Sequence, residues 1–328
     1  MFKNIFQLSG IRVSLHQASP FPAAAVGLLG FELQLSAYGC SPLIVPDTAP
    51  FLTAMLKAVT RSLWLKSVAG IRMMSHHSPL SGKVAIVTGS TDGIGLAAAE
   101  ALGRRGAHVV VSSRRQTNVD KAVSLLRSKN IKVTGTTCDV GNAEDREKLI
   151  NMTVEQCGGV DILVNNAAMI QYIENILDST EDVWDKIFGV NVKSQFLLTK
   201  LVVPYMEKRG GGSVVFVSSV AGYMPIQGLG VYSVSKTALL GLTRALAPDL
   251  AHSNIRVNSV APGLIKTPFS SMLWENENLL NGFLKLINMK RIGKPEEIGG
   301  VIAFLCTDEA SYVTGETFSA TGGISCKL

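Results

Sequence analysis

Tyr232 and Lys236 stand four residues apart in Tyr232-Ser233-Val234-Ser235-Lys236, a spacing that puts both side chains on one face of a helix. An ammonium near a phenol favours the phenolate, so Tyr232 reads as an acid or base working nearer neutral pH. Taken alone, the same spacing also describes a surface pair. Ser219 ends a valine-rich run shortly before them, where its hydroxyl can meet a substrate oxygen.

A second constellation points to phosphate. Thr88-Gly89-Ser90-Thr91-Asp92-Gly93-Ile94-Gly95 follows one apolar run and opens a helical pattern. Glycines at 89, 93 and 95 permit a tight turn and close backbone approach, so a pyrophosphate can sit at the helix N-terminus. An NAD-binding chain places Asp or Glu about 20 residues further on, for the ribose 2′-hydroxyl. This chain carries Ser112-Ser113-Arg114-Arg115. No carboxylate is there to repel a 2′-phosphate, and Arg114 can pair with one through two parallel hydrogen bonds. That favours NADP(H); the alternative is an arginine pair on a solvated loop.

These residues need a scaffold that holds them together. Short apolar runs at 84–88, 109–113, 133–138, 162–165, 214–218 and 256–260 read as buried strands, with 317–320 as a last strand. Helical patterns fill the gaps at about 94–105, 119–129, 143–157 and 231–252. Ser179 and Asp182 form a capping signature for one long helix running towards Met206. Pro248 is expected to bend or end the helix that carries Tyr232 and Lys236. Strands alternating with helices predict βαβ units and a single doubly wound α/β domain of Rossmann type, its parallel sheet covered by helices on both faces.

The set as a whole resembles the short-chain dehydrogenase/reductase superfamily: the strand–glycine turn–helix, Asn165-Asn166-Ala167-Ala168, Asn191, Ser219, Tyr232-x-x-x-Lys236, and Pro262-Gly263 followed by Thr267. The resemblance covers residues 79–328. SSRRQTNVD, VWDKIFGVNVKS, SKTALLGLTRALA and APGLIKT are similar to a branch of peroxisomal NADP-dependent carbonyl reductases and retinol dehydrogenases. It implies that Tyr232 gives a proton to the carbonyl oxygen in reduction, while Ser219 holds that oxygen. Lys236 is implied to contact the nicotinamide ribose and lower the Tyr232 pKa, and Asn191 to hold a water linking Lys236 to solvent. Cofactor contacts are implied for Gly89, Ser90, Thr91, Gly93, Ile94 and Gly95 in the turn, then for Ser113, Arg114, Asp139 and Val140. Asn166, Pro262, Gly263, Ile265 and Thr267 complete that set. A homotetramer is also implied. Two departures stand out: Ala168 replaces the family's usual glycine, and Pro248 replaces an ordinary helix residue.

The 328 residues are 47% apolar and 17% charged, with a mean hydropathy of +0.27, which excludes intrinsic disorder. Net charge is +6, but residues 1–78 hold Lys3, Arg12, Lys57, Arg61, Lys66 and Arg72 against only Glu32 and Asp47. The remainder is close to balanced and has no basic stripe with interleaved aromatics, so nucleic acid is not an expected partner. Five scattered cysteines form no CxxC and no metal-ligand spacing with the histidines. No metal is expected, and the cysteines suit a reducing compartment.

Residues 1–78 read as an N-terminal extension. The uncharged run 13–31 contains His16, Pro20 and Pro22, so no stable membrane span is expected. Residues 55–74 are basic and acid-free, like a mitochondrial targeting peptide or a leader without an address. Cys326-Lys327-Leu328 resembles a peroxisomal Ser-Lys-Leu address read by an import receptor from an exposed tail. A start at Met73 or Met74 would leave only that address, whereas Met1 or Met55 would favour mitochondria. The expected activity is NADPH-dependent reduction of ketones or aldehydes, retinal among them. The rivals are a 3-oxoacyl reductase on the same scaffold and a non-catalytic dinucleotide-binding protein.

Overall fold

Valine-rich runs bounded by glycine turns and helix caps become seven strands of one parallel sheet. The computed structural model describes residues 78–326; the expectations for the extension, its leader segments, Lys327 and Leu328 lie outside them. In chain order the regular elements are β1 (Val84–Val87), α1 (Gly93–Arg104), β2 (His108–Ser113), α2 (Gln116–Ser128), β3 (Val133–Thr137), α3 (Ala143–Cys157) and β4 (Ile162–Asn165). Then follow α4 (Glu181–Phe188), α5 (Ser194–Lys208), β5 (Gly212–Val217), α6 (Gly230–Ala251), β6 (Ile255–Pro262), α7 (Ser271–Trp274), α8 (Glu277–Leu286), α9 (Pro295–Leu305) and β7 (Thr317–Ala320).

The strand order is β3-β2-β1-β4-β5-β6-β7, and every neighbouring pair is parallel, with Ala85 opposite Val109 on one side and Ile162 on the other. Successive residues point to opposite faces. Val87, Val109 and Val111 join Leu102, Leu126 and Ile302 of α1, α2 and α9 in one cluster. Ile86 and Val110 join Leu149, Leu198 and Leu239 of α3, α5 and α6 in another. The sheet is therefore covered on both sides, as expected. The outer strands β3 and β7 are only partly buried after Val133, with Ser319 exposed, which corrects the reading of 133–138 as a buried strand: each outer strand has a neighbour on one side only.

Three local expectations need correction. The long helix after Ser179 is two α-helices joined by a π turn, Gly189–Lys193, in which the Ser194 N–H reaches back five residues to the Gly189 carbonyl. Thr180, not Ser179, precedes its first turn; Ser179 Oγ instead donates to the Ile176 carbonyl and accepts from Trp184 Nε1. Pro248 does not end α6, which continues to Ala251. Pro248 and Arg244 are both exposed, so water can take the Arg244 carbonyl that the missing N–H would have served, while Ala247 and Leu250 stay packed against the sheet.

At the amino ends of the strands a buried carboxylate ties the sheet together. Asp161 is 2% exposed, accepts from the Val84 N–H at 2.8 Å and pairs with Arg209 Nη2 at 3.0 Å and Lys83 Nζ at 3.4 Å. Among the described residues no helix is long and apolar enough to cross a membrane.

Candidate active site

The opposite, carboxyl ends of the strands carry the functional loops. They open on a cavity of about 670 Å³ above the sheet's switch point between β1 and β4, where ligands of open α/β sheets bind.

The glycine turn leaves β1 and enters α1 as anticipated. Gly89 has a φ of +59°, a conformation that side chains other than glycine disfavour. A Cβ on Gly95 would strike the Gly89 carbonyl and Asn166 Nδ2. Asn166 braces the turn from β4, giving Nδ2 to the Thr88 and Gly89 carbonyls at 3.0 and 2.9 Å. Gly89, Thr91, Gly93 and Ile94 line the cavity. Ser90 does not: it is buried, donates Oγ to the Val87 carbonyl at 2.6 Å and accepts from the Ser112 N–H at 3.0 Å. Ser90 and Gly95 therefore shape the turn from behind.

Ser113 and Arg114 border the cavity beyond β2, and Asp139 and Val140 beyond β3. Arg114 is exposed. Pro262, Gly263, Ile265 and Thr267 line the cavity beyond β6, and Thr267 is fixed by Trp274 Nε1 on its carbonyl at 3.0 Å. A continuous row of backbone and polar groups thus runs from β3 across β1 to β6. An extended dinucleotide fits this row: the glycine turn offers room and N–H groups at a helix start, and no carboxylate occupies the end of β2.

The reacting groups face the same cavity. Ser219 follows β5 with its Oγ accepting the Ala221 N–H at 3.1 Å. Tyr232 and Lys236, on one face of α6, are 7% and 1% exposed. Lys236 Nζ donates to the Val217 carbonyl at 2.7 Å and lies 5.5 Å from the centre of the Tyr232 ring. Burial pushes the Tyr232 hydroxyl up to about 12, a rise that the Ser219 hydroxyl opposes. Burial also pushes Lys236 down to about 7. Loss of solvent acts on both groups and disfavours the charged form of each.

Asn191 is fully buried in the π turn. Its Oδ1 accepts the Met169 N–H at 2.8 Å, and its Nδ2 donates to the Met169 carbonyl and to Ser235 Oγ, both at 3.0 Å. Ser235 Oγ in turn donates to the Tyr232 carbonyl at 2.6 Å. The side chain thus ties the β4 loop to α6.

Sequence reasoning missed the apolar end of the cavity, where Ile170, Leu229, Leu264, Leu273 and Phe283 come together. Residues 269–290 supply part of it, with two short helices, α7 and α8. Cys326, expected on an exposed tail, is half buried against the same cluster, with Sγ donating to the Ile324 carbonyl at 3.3 Å.

Comparison with known proteins agrees with this geometry. Residues 89–325 match the family described as Enoyl-(Acyl carrier protein) reductase. The chain is 55% identical over 255 residues to rabbit (Oryctolagus cuniculus) Dehydrogenase/reductase SDR family member 4, covering 78% of this chain and 98% of that one. Its human counterpart is 52% identical over 84% of this chain and 100% of its own. Human Dehydrogenase/reductase SDR family member 2, mitochondrial, is 49% identical over 82% and 98%. Among solved structures, one from Sinorhizobium meliloti, described as a short-chain alcohol dehydrogenase, superposes with a TM-score of 0.72 at 36% identity, covering 76% of this chain and 98% of the other. Sequence, sheet order and the Ser219–Tyr232–Lys236 cavity together place this chain in the short-chain dehydrogenase/reductase family, as an oxidoreductase acting on CH–OH and C=O groups.

Proposed function

We propose that this protein reduces apolar ketones or aldehydes with NADPH. The observation that carries the reading is the placement of Tyr232, Ser219 and Lys236 where a polar, dinucleotide-sized row meets an uncharged pocket wall of Ile170, Leu229, Leu264, Leu273 and Phe283. Such a wall suits a neutral apolar carbonyl compound better than a charged one.

The bound nicotinamide supplies the hydride in this reading. The chain's own residues do the rest. Ser219 Oγ donates a hydrogen bond to the carbonyl oxygen and orients it. Tyr232, with a hydroxyl that stays protonated at neutral pH, gives its proton to that oxygen as negative charge develops there. Lys236, poised near neutrality, supports Tyr232 and the cofactor ribose. Arg114 and Ser113 hold a 2′-phosphate, which makes NADP(H) the preferred dinucleotide. A homotetramer belongs to the same reading and rests on the family relationship.

The test is NADPH oxidation against retinal, α-dicarbonyls, aromatic ketones, steroids and 3-oxoacyl thioesters. Turnover of the apolar carbonyls supports the proposal. Turnover of the thioesters alone would favour a 3-oxoacyl reductase, and none at all a non-catalytic binder. Peroxisomal import is proposed on the ending Cys326-Lys327-Leu328. A chain starting at Met74 with a free carboxyl terminus should give peroxisomal puncta, and a tag after Leu328 should abolish them.

A further inference from the structure

Behind the cavity wall of Asn166, Ala167, Ala168 and Met169 lies a buried polar cluster that takes no part in the proposed proton transfer. Gln195, in the first turn of α5, is 2% exposed, and its Nε2 donates to the Ala167 carbonyl at 3.2 Å. No other donor reaches that carbonyl among the described residues. The Gln195 main-chain carbonyl accepts from Thr199 Oγ1 at 2.8 Å, and Thr199 Oγ1 accepts from Asn165 Nδ2 at 3.3 Å. One cluster thus joins the end of β4 to α5.

Gln195 Oε1 has no hydrogen-bond partner among the described residues. A buried acceptor left in that state costs free energy. An apolar side chain of similar length would fill the space without that cost. What Gln195 contributes beyond volume is therefore its donor. Two residues beyond Ala167, the Met169 N–H and carbonyl are both held by the Asn191 side chain. Between the two anchors stands Ala168, which has a Cβ where the family pattern has glycine. The backbone facing the cavity is thus pinned from behind on both sides of a position that departs from the pattern.

We propose that Gln195 is a positioning residue for the dinucleotide. Through the Ala167 carbonyl it sets where the cavity wall stands, and hence how tightly the cofactor binds, without touching the reacting atoms. The inference rests on the nicotinamide-dinucleotide reading of the cavity.

The test compares wild type, Gln195→Leu and Gln195→Glu, with NADPH affinity followed by protein fluorescence and kcat measured at saturating NADPH. Gln195→Leu should raise the NADPH Kd between about threefold and tenfold, the size of one lost buried hydrogen bond. Its kcat at saturation should stay within about twofold of wild type. Gln195→Glu is nearly isosteric, and its carboxylate has no proton for Ala167, whereas the neutral acid does. Burial favours that neutral acid, so the Glu variant should recover wild-type affinity as pH falls while the Leu variant does not. This comparison within one folded protein decides the matter even if Gln195→Leu fails to fold. NADPH affinities equal to wild type in both variants, or a pH-independent deficit in Gln195→Glu, would overturn the proposal. If wild type itself binds neither NADPH nor NADH, the dinucleotide reading fails first and this inference falls with it.

Discussion

The Lys236 ammonium is buried and donates to the Val217 carbonyl at 2.7 Å, so helix α6 is fastened to the end of β5 by a group whose charge the fold disfavours. Its pKa is about 7 in the folded state against 10.5 for an ordinary lysine. Below about 7 both folded and unfolded chains hold the proton, and the folded state bears the full cost of burying it. Between about 7 and 10.5 the unfolded chain keeps the proton while the folded one releases it, so stability rises with pH. Tyr232, raised from 10 to about 12, works the other way only above about pH 10. The Tm of the dinucleotide-free protein should climb from neutral pH towards pH 9.5, and Lys236→Met should flatten the climb. An equal climb in both proteins would place the titrating group elsewhere.

Tyr232→Phe keeps the ring and its packing but removes the transferable proton. Turnover should fall by about 10²-fold or more while NADPH still binds. Ser219→Ala should also lower turnover without abolishing NADPH binding. A Tyr232→Phe enzyme with normal turnover would remove Tyr232 from the mechanism.

Arg114 is exposed at the cavity rim and is the cation proposed for the 2′-phosphate. Arg114→Ala should weaken NADPH by about 1.5–3 kcal/mol, the worth of a charge-assisted contact, and leave NADH nearly unchanged. Titrations of both dinucleotides against both proteins read this directly. Equal losses would mean that Arg114 acts on something common to the two.

Asp161 lies at the other end of the strands from the cavity. Asp161→Ala orphans the Val84 N–H and releases Arg209, whose side chain still reaches water at 35% exposure. The loss should be about 2–3 kcal/mol in denaturant unfolding, with NADPH affinity preserved in the protein that remains folded. A change in affinity as large as that in stability would show that the two ends of the sheet are coupled.

Motifs built from consecutive residues were legible in the chain. The glycine turn, Ser113-Arg114 and the Tyr232–Lys236 pair each rest on a spacing that local geometry fixes, Asn166 came from the family resemblance, and the structure brings them to one cavity. Strand ends fell within about two residues because valine runs and glycine turns mark them on both sides. What escaped depends on long-range contact. Asp161 meets Arg209 and Val84 only after three chain segments assemble, and Gln195 meets Ala167 only across the π turn. Pro248 misled because the cost of a proline depends on whether the orphaned carbonyl faces water. The pKa values of Tyr232 and Lys236 escaped for a related reason: spacing says that two groups are neighbours, not how much solvent both have lost.

The π turn at Gly189–Lys193 has a consequence for how the chain tolerates change in length. Each residue advances an α-helix by about 100°, so one extra residue works as a phase shifter between two stretches of the same rod. Upstream, Val183 and Ile187 engage Val231; downstream, Leu198, Val202 and Met206 engage the sheet. The upstream stripe meets α6 and the downstream one meets the sheet, so the angle between them depends on how many residues lie in the turn. Removing a single residue from 189–193 would therefore be a rotation more than a shortening, swinging the α4 stripe away from α6 and drawing Asn191 off Met169. The segment can change its letters more safely than its count.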